Sequence, residues 1–470
     1  MRRSSLRWRI AVMVSAAIAI SYLDRQTLPV AIKAIQQDIP ISNARFSLLN
    51  TAFLIAYGLM YAGGGRLLDA LGTRRGFLVV MIFWSLACAS HGLAVNLAML
   101  AVSRLLLGMG EGGGFPAATR AMAEWFPERE RSTAMGIMNA GTALGAVAAP
   151  PLIAIVLSAA NWRWVFFLTG SIGLAWTFWW RRQYFLPAQH PRLTEDERLH
   201  IFAGASSAAR QGRTRGPERG HSCPQQVSTS ELAADKNVRA PAPGISCSSG
   251  LKWSQLLRYR QTWGLVMAKT LSDAAWYFYL FWLPKYLYDA RGFDIKAVGT
   301  FAWIPHAAAG VGCLGGGWFS SWLLRRHCSL NLSRKLALGL SAAVMPFILF
   351  VPRVPVAGAI ALFALAYLGQ QSWSTLVMTL PADLFPKAMV GSVAGLVGFG
   401  GAMGGVMFGQ LAGYLLDHGS GYAVVFALAG SLHVLAFLAL CLMIPAIRPL
   451  DGAGTNENQR NPDASCRVAR

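Results

Sequence analysis

Charge is scarce in this sequence, and acidic charge is scarcest. Only 13% of the 470 residues are Asp, Glu, Lys or Arg, and 21 carboxylates stand against 42 basic side chains. A chain that is 54% hydrophobic with so few charges cannot cover itself with a water-facing surface, which excludes an ordinary soluble domain and makes lipid the expected solvent. Cysteine is also rare. Cys88, Cys223, Cys247, Cys313, Cys328, Cys441 and Cys466 are scattered at spacings that fit neither a zinc site nor a disulfide framework. No metal-ligand cluster and no nucleophile–base pair stands out, so the expectation is a non-enzyme with no bound metal. The first apolar segment carries Asp24 and Arg25 where a removable leader would have a small-residue cleavage site, and no such leader is expected.

What is present is a succession of apolar stretches long enough to cross a bilayer. Hydropathy and turn signals place spans near 10–34, 46–69, 77–94, 97–119, 132–158 and 164–181, then 262–288, 298–323, 335–352, 354–380, 389–415 and 421–446. The expected fold is an all-α membrane protein of 12 transmembrane helices in two pseudo-symmetric six-helix bundles, 1–181 and 260–446. Between them lies a cytoplasmic linker, 182–259, whose middle from about Ser206 to Gly250 is too rich in Arg, Ser, Pro, Gly and Gln to bury a core. Its flanks, Leu193 to Ile201 and Trp253 to Trp263, are read as short amphipathic helices along the membrane face. A flexible cytoplasmic tail, 447–470, completes the division.

A net charge of +21 raises the question of nucleic acid, and the positions of the charges answer it. Arg2, Arg3 and Arg7 precede the first span; Arg74 and Arg75 follow the second; Arg120, Arg129 and Arg131 follow the fourth; Arg325, Arg326, Arg334 and Lys335 follow the eighth. Alternate loops are basic, and the intervening short loops are poorer. The positive-inside rule then puts both termini in the cytoplasm of a multi-pass inner-membrane protein, and no nucleic-acid partner is expected.

The halves are related within the sequence. A shift of 259 positions lays Phe126-Pro127 on Phe385-Pro386, Gly136 on Gly395, Gly141 on Gly400, Gly145 on Gly404 and Phe167 on Phe426. Repeated six-helix halves with a ligand between them are a recurrent plan for alternating access.

After the second span, the loop from Gly65 through Asp69 and Gly72 to Arg74 and Arg75 suggests a conformational latch. Asp69 can hold a guanidinium or a helix N-terminus across the bundle while the glycines allow close approach; the alternative is a solvated turn that enforces topology. Its second-half counterpart, Gly317 to Ser321 before Arg325 and Arg326, lacks the acidic residue, so a latch there is expected to be weaker or absent.

Ionisable residues inside spans are the most informative feature, since each costs about 2.5–3.5 kcal/mol at a helix centre. Asp24 and Arg25 fall in the first span, Arg104 and Glu111 in the fourth. Arg104 and Glu111 share a helix face with Gly108 and Gly112, which lets a neighbouring backbone approach. Two readings follow. One is a proton-coupled anion site, in which a carboxylate poised between burial and a guanidinium loads and releases a proton as the cavity opens to each side. The other is a static salt-bridge network that fixes packing. Arg25, with its planar fork, is the natural ligand for a carboxylate substrate, and Asp24 beside it could compete.

The motifs Tyr22-Leu23-Asp24-Arg25, Arg104 to Pro116, Ala123-Glu124-Trp125-Phe126-Pro127, Trp276 to Tyr286 and Gly369 to Ser374 resemble the anion:cation symporter family within the major facilitators, and in particular its bacterial hexuronate and aldonate transporters. The resemblance covers nearly all the chain outside the linker and tail. It implies proton symport of a sugar acid, with the proton as coupling ion and no other cofactor. Asp24 and Glu111 would be the proton-coupling carboxylates, Arg25 the substrate-carboxylate ligand, Arg104 the charge partner that tunes them, and Tyr57 a cavity residue. In such a carrier Trp276 and Tyr277 stack on the sugar, while Asn139, Thr142, Gln370, Gln371 and Ser372 bond its hydroxyls.

Lys269 and Asp273, one turn apart in the seventh span, are expected at least to pair with each other. Trp282 and Tyr286 are expected in an interfacial anchoring belt, and His306 and His433 in packing or rim positions. The partners expected are a small organic anion and the lipid bilayer, with the chain monomeric. Two competing readings are an antiporter or exporter of another organic anion, and a ligand sensor that does not transport.

Overall fold

The structure, a computed structural model, describes residues 6–202, 256–385 and 387–448; within them the side chains of 62, 65, 66, 69, 128, 129, 131, 132, 387, 388 and 391 lie outside the description. The middle of the expected linker and the tail beyond 448 therefore lie outside the described residues.

Apolar runs with few turn-forming residues give long helices, and local chemistry sets their ends. Helix α1, Leu6–Asp38, has 33 residues and is roughly 50 Å long, more than a hydrocarbon core requires. Helix α2, Asn43–Ser90, starts where Ser42 accepts a bond from the Arg45 backbone N–H and breaks at Gly72, whose φ of 70° suits glycine and few other residues. That break makes α2 two spans. Helix α3, Leu97–Gly112, is capped by Asn96 and runs through Gly113 into α4, Gly114–Trp125, forming the fourth span. Helices α5, Glu128–Ala159, and α6, Arg163–Gln183, complete the first six-span bundle.

The second bundle begins with α7, Arg260–Arg291, which stops at the left-handed Gly292. The eighth span is α8, Ile295–Phe301, with α9, Trp303–Arg325. The ninth is α10, Leu330–Ala343, tightened into a 3₁₀ segment, Met345–Arg353, that contains Pro346 and Pro352. Helices α11, Val356–Leu384, α12, Lys387–Asp417, and α13, Gly421–Met443, bring the total to twelve spans. The described residues contain no strand. Seven helices meet a length-and-hydropathy criterion for crossing a membrane by themselves. Of the other five spans, the first part of α2 and the interrupted α3–α4 fall short, as do α6, α7 and α11, which carry Trp, Tyr, Gln or charged side chains.

The internal repeat is visible in the packing. A Cβ on Gly145 would lie 2.0 Å from the Ala19 carbonyl oxygen of α1, and one on Gly404 would lie 1.9 Å from the Thr270 carbonyl oxygen of α7. The same glycine in each half thus lets the fifth helix lie directly on the first. Phe126 and Phe385, also matched by the shift, both terminate a span, as the C-cap residues of α4 and α11.

The two bundles touch at the end remote from the termini. Asp417 accepts bonds from the backbone N–H groups of Asn43 (2.9 Å) and Ala44 (2.8 Å), Gln410 donates to Thr51 (2.7 Å), and the Tyr288 hydroxyl donates to the Val30 carbonyl (2.8 Å). Gly310 faces Ala143 across the interface and Gly58 faces Ala402. Gly136 and Gly395 lie on the same stripes two turns nearer the terminal end, and each has open space around it. The halves are closed at the far end and parted at the terminal end.

Trp282 and Tyr286 do not form an interfacial belt. They are 1% and 2% exposed and belong to an aromatic layer at the closed end: Trp282 meets Phe46 of α2 edge-on at 5.1 Å, and Tyr286 meets Phe426 at 5.1 Å. The α7 aromatic run faces other helices, so burial between helices prevails over the pull of the lipid interface.

Substituting Gly404 by alanine should wedge α7 and α12 apart and destabilise the protein by about 1–3 kcal/mol, as overpacking does. Gly395→Ala, in open space on the same helix, should leave the melting temperature unchanged or slightly higher. Thermal unfolding in detergent measures both, and equal shifts would contradict the close-packing account.

Candidate functional site

Where the first bundle faces the second, α1, α2 and α3 bring their polar side chains together. On α3 the Gly108–Gly112 stripe faces α2; a Cβ at Gly108 would lie 2.2 Å from the Phe53 carbonyl oxygen, and one at Gly112 2.6 Å from that of Tyr57. That approach carries the Phe53 and Tyr57 rings to the guanidinium groups. Arg25 lies 4.6 Å from the Tyr57 ring centre, 4.7 Å from Tyr22 and 5.6 Å from Phe53.

Glu111 closes the cluster. One of its oxygens, Oε2, accepts from Arg25 Nε at 2.7 Å and from the Ser21 hydroxyl at 2.7 Å. Arg25 and Glu111 are 2% and 1% exposed. An ion pair buried to that degree carries a large desolvation cost, which close geometry and added hydrogen bonds must offset. Glu111 Oε1 and Arg25 Nη2 have no hydrogen-bond partner among the described residues, so both groups retain capacity for a further ligand.

The other two charges are placed differently. Asp24 turns away from Arg25 into the first bundle, where its Oδ1 accepts from the Cys88 thiol at 3.4 Å; Cys88 also lies 3.2 Å from the Thr169 hydroxyl. The group that competes for Arg25 is therefore Glu111 and not the adjacent Asp24. Arg104 bonds Asn50 at 3.4 Å and lies 5.4 Å from the Phe53 ring centre and 6.0 Å from that of Phe281 in the second bundle. Its direct partner is an amide; the partner of Glu111 is Arg25.

Across the interface, α7, α11 and α13 build a second buried polar cluster. Lys269 and Asp273 pair at 3.0 Å, as their spacing implies. Lys269 also donates to Ser374 at 2.8 Å, and Gln370 donates to Asp273 at 3.4 Å while its oxygen bonds His433. Trp276 and Tyr277 are buried beside this group, with Trp276 edge-on to Tyr367 and Tyr277 stacked on Phe281.

Four of the residues expected to bond the sugar hydroxyls are not brought into either cluster. The Ser372 hydroxyl donates to the Gly312 carbonyl at 2.8 Å, on the seam between α9 and α11. Thr142 donates to the Asn139 carbonyl of its own helix, and Asn139 is exposed on the stripe that runs to the parted end. Gln371 is half-buried on α11 and its carbonyl accepts from Thr375.

His433 and His306 are not rim residues. Both are buried, and His306 lies 3.4 Å from the Gln26 amide, which also donates to the Leu280 carbonyl across the interface at 3.2 Å. Gln26 could have been found as the continuation of the polar run Asp24-Arg25-Gln26-Thr27.

At the terminal end, the described contacts of the expected latch loop lie within its own half. Arg74 donates to the Arg181 carbonyl at the end of α6 at 3.0 Å and lies over Phe185, and Arg75 is exposed. Gly72 is the break in α2; the surroundings of Gly65 and the side chain of Asp69 lie outside the description. Glu124 gathers this end, accepting from Thr73 (2.5 Å), Tyr184 (2.6 Å) and Arg120 (3.3 Å). The second half does have a charged counterpart. Arg334 pairs with Asp383 at 2.8 Å and donates to Ser320 at 2.9 Å, and Asp383, on α11, is the residue 259 positions after Glu124.

Residues 14–409 match the Major Facilitator Superfamily. The chain is 28% identical over 461 residues to the hexuronate transporter of Escherichia coli K12, covering 97% of this chain and 98% of that one. It is 32% identical to the galacturonate transporter of Dickeya chrysanthemi, covering 72% and 89% respectively. It is 28% identical to the D-galactonate transporter of Escherichia coli O6:H1, covering 94% and 96%. A crystal structure of a bacterial homologue of the human lysosomal transporter Spinster, inward-facing and occupied, shares the fold with a TM-score of 0.62 at 16% identity, covering 94% of this chain and 96% of that one. Twelve spans in two related bundles, charges buried where the bundles meet, and a family match over most of the length lead to one conclusion: the chain belongs to the major facilitator superfamily and is a membrane-spanning transporter homologous to hexuronate and aldonate carriers.

Proposed function

We propose that this protein imports a hexuronate or related sugar acid across the bacterial inner membrane by proton symport with alternating access, with both termini in the cytoplasm. The buried Arg25–Glu111 pair carries the reading. A guanidinium held by a carboxylate can bind a substrate carboxylate once a proton neutralises Glu111. Loss of that proton on the other side lets Glu111 reclaim Arg25 and expel the substrate. Proton and anion thus use one switch, and neither leaves an unpaired charge behind.

The surrounding groups suit a sugar acid. Tyr57, Trp276 and Tyr277 offer ring faces to the pyranose, and Gln370 offers an amide to its hydroxyls. Asp24, held by Cys88, is a second carboxylate that takes a proton as the bundle rearranges, and Arg104 adds positive potential that favours an anion. Closure at the far end with the halves parted at the terminal end supports an inward-open state.

In proteoliposomes with an imposed pH gradient, Arg25→Ala should lower the apparent affinity for labelled galacturonate by about 10–100-fold, the loss of one charge-assisted pair. Glu111→Gln should abolish gradient-driven uptake while retaining exchange of substrate between the two sides, because it mimics the proton-loaded state. Acid-stimulated uptake unchanged in both variants would reject the assignment.

Rocking between the halves can be halted at the closed end. A Cβ on Gly413 would lie 3.2 Å from Ala44 Cα, so the Ala44→Cys/Gly413→Cys variant should cross-link on oxidation. Uptake should then stop and return with reductant; uptake that continues in the cross-linked protein would exclude separation of the far ends from the cycle.

A further inference from the structure

Away from the central clusters, the seam between α1 and α6 opens outward. Two cavities lie along it, of about 390 and 470 Å³, and the Trp179 ring lines both. On α1 the wall is Arg9, Met13, Ala16 and Ile20; on α6 it is Ile172, Ala175, Trp179 and Gln183. Each set recurs at three- and four-residue intervals and so forms one stripe along its helix. The two cavities are therefore one groove. Beneath it the Trp176 indole donates to the Met13 carbonyl at 2.9 Å, which ties the two helices together. From Arg9 to Ile20 the groove runs about 17 Å along α1, close to half of the roughly 30 Å hydrocarbon thickness of a bilayer.

Polarity is confined to one end. Arg9 and Gln183 are the polar members of the lining, and both belong to the cavity at the terminal end; the deeper one is lined by alanine, isoleucine and tryptophan. Arg7 and Arg9 are two residues apart and so project about 200° from each other. Arg7 turns to the bundle, where Glu130 holds it at 2.9 Å and Glu197 at 3.1 Å. Arg9 is exposed at the mouth of the groove and has no hydrogen bond or ion pair among the described residues. Arg181 and Arg182, in the last turn of α6, add positive potential at the same end.

We propose that this groove binds one anionic phospholipid from the leaflet on the terminal side, with its phosphate on Arg9 and one acyl chain laid between α1 and α6. Apolar walls give water no partners, so in a bilayer hydrocarbon fills the groove. The mouth decides which lipid supplies it. A phosphate takes the Arg9 fork bidentately, and Gln183 offers an amide donor beside it. The surrounding arginines favour a headgroup that brings no ammonium of its own. The bound lipid braces α1, the helix that carries Arg25, against α6.

The test uses the full-length transporter, delipidated in detergent and titrated with phosphatidylglycerol or phosphatidylcholine of the same chains, with native mass spectrometry counting what stays bound. The wild type should retain one phosphatidylglycerol with about tenfold higher affinity than phosphatidylcholine, the effect of one charge-assisted pair. Arg9→Gln should erase that preference. Arg326→Gln, which removes an exposed arginine at the same end of the second bundle, should keep it. Ala175→Trp, at an exposed position of the groove wall, should lower retention of both lipids about tenfold. Inorganic phosphate should not displace the bound lipid. Equal affinity of the wild type for the two lipids overturns the proposal, as does an equal loss of preference in Arg9→Gln and Arg326→Gln, the mark of general surface charge. Displacement by inorganic phosphate assigns the mouth to a soluble anion and overturns it as well, and so does undiminished retention in monodisperse Ala175→Trp. Should that variant aggregate, the two arginine variants decide.

Discussion

The contact between Arg25 and Glu111 is the constraint around which the first bundle is organised. A guanidinium and a carboxylate removed from water are stable only when they are close and their remaining donors and acceptors are provided for. Every neighbouring feature serves that need. The small residues of α3 admit the α2 backbone, that backbone brings Phe53 and Tyr57 to the cation, and Ser21 supplies a donor to the same carboxylate oxygen that Arg25 holds. The geometry keeps the charges buried and leaves Arg25 Nη2 and Glu111 Oε1 without a hydrogen-bond partner among the described residues.

The two halves share a scaffold and differ in how they place charge. The glycines at 145 and 404 dictate equivalent helix contacts, so the repeat persists where backbone meets backbone. Side chains are freer to diverge. The first half joins its ion pair across helices α1 and α3, whereas the second keeps its pair within α7. At the terminal end Glu124 collects neutral donors and Arg120 in one half, and Asp383 holds Arg334 in the other. One frame is preserved by packing, and the chemistry within it has specialised.

The fold was legible in the sequence because hydropathy and loop charge are properties of single segments. The twelve spans, the six-plus-six division and the glycine repeat needed no knowledge of contacts. The charged residues of the site were legible for a related reason, since an ionisable side chain inside a span has few places to go. Their pairing was not. Asp24 and Arg25 are adjacent in the chain, yet successive side chains on a helix point about 100° apart, which sends Asp24 to Cys88 and Arg25 to Glu111. The aromatic run of α7 looked like an interfacial belt because composition cannot distinguish a ring facing lipid from one facing another helix. His433 was read as a packing or rim residue, and its bond to Gln370 could not be foreseen because that partner is 63 residues away in sequence and on another helix. The bond from Ser372 to the Gly312 carbonyl was not legible either, because it depends on which helix the hydroxyl faces.

The aromatic layer at the closed end has a bearing on access to the centre. Phe46, Trp282, Phe278, Tyr286 and Phe426 interlock there with ring separations of 5.1–5.9 Å and offer few hydrogen-bonding groups along the path between the bundles. A file of water molecules long enough to conduct protons cannot thread such a plug. Polar solutes on the far side are kept from the buried charges at the centre by shape alone.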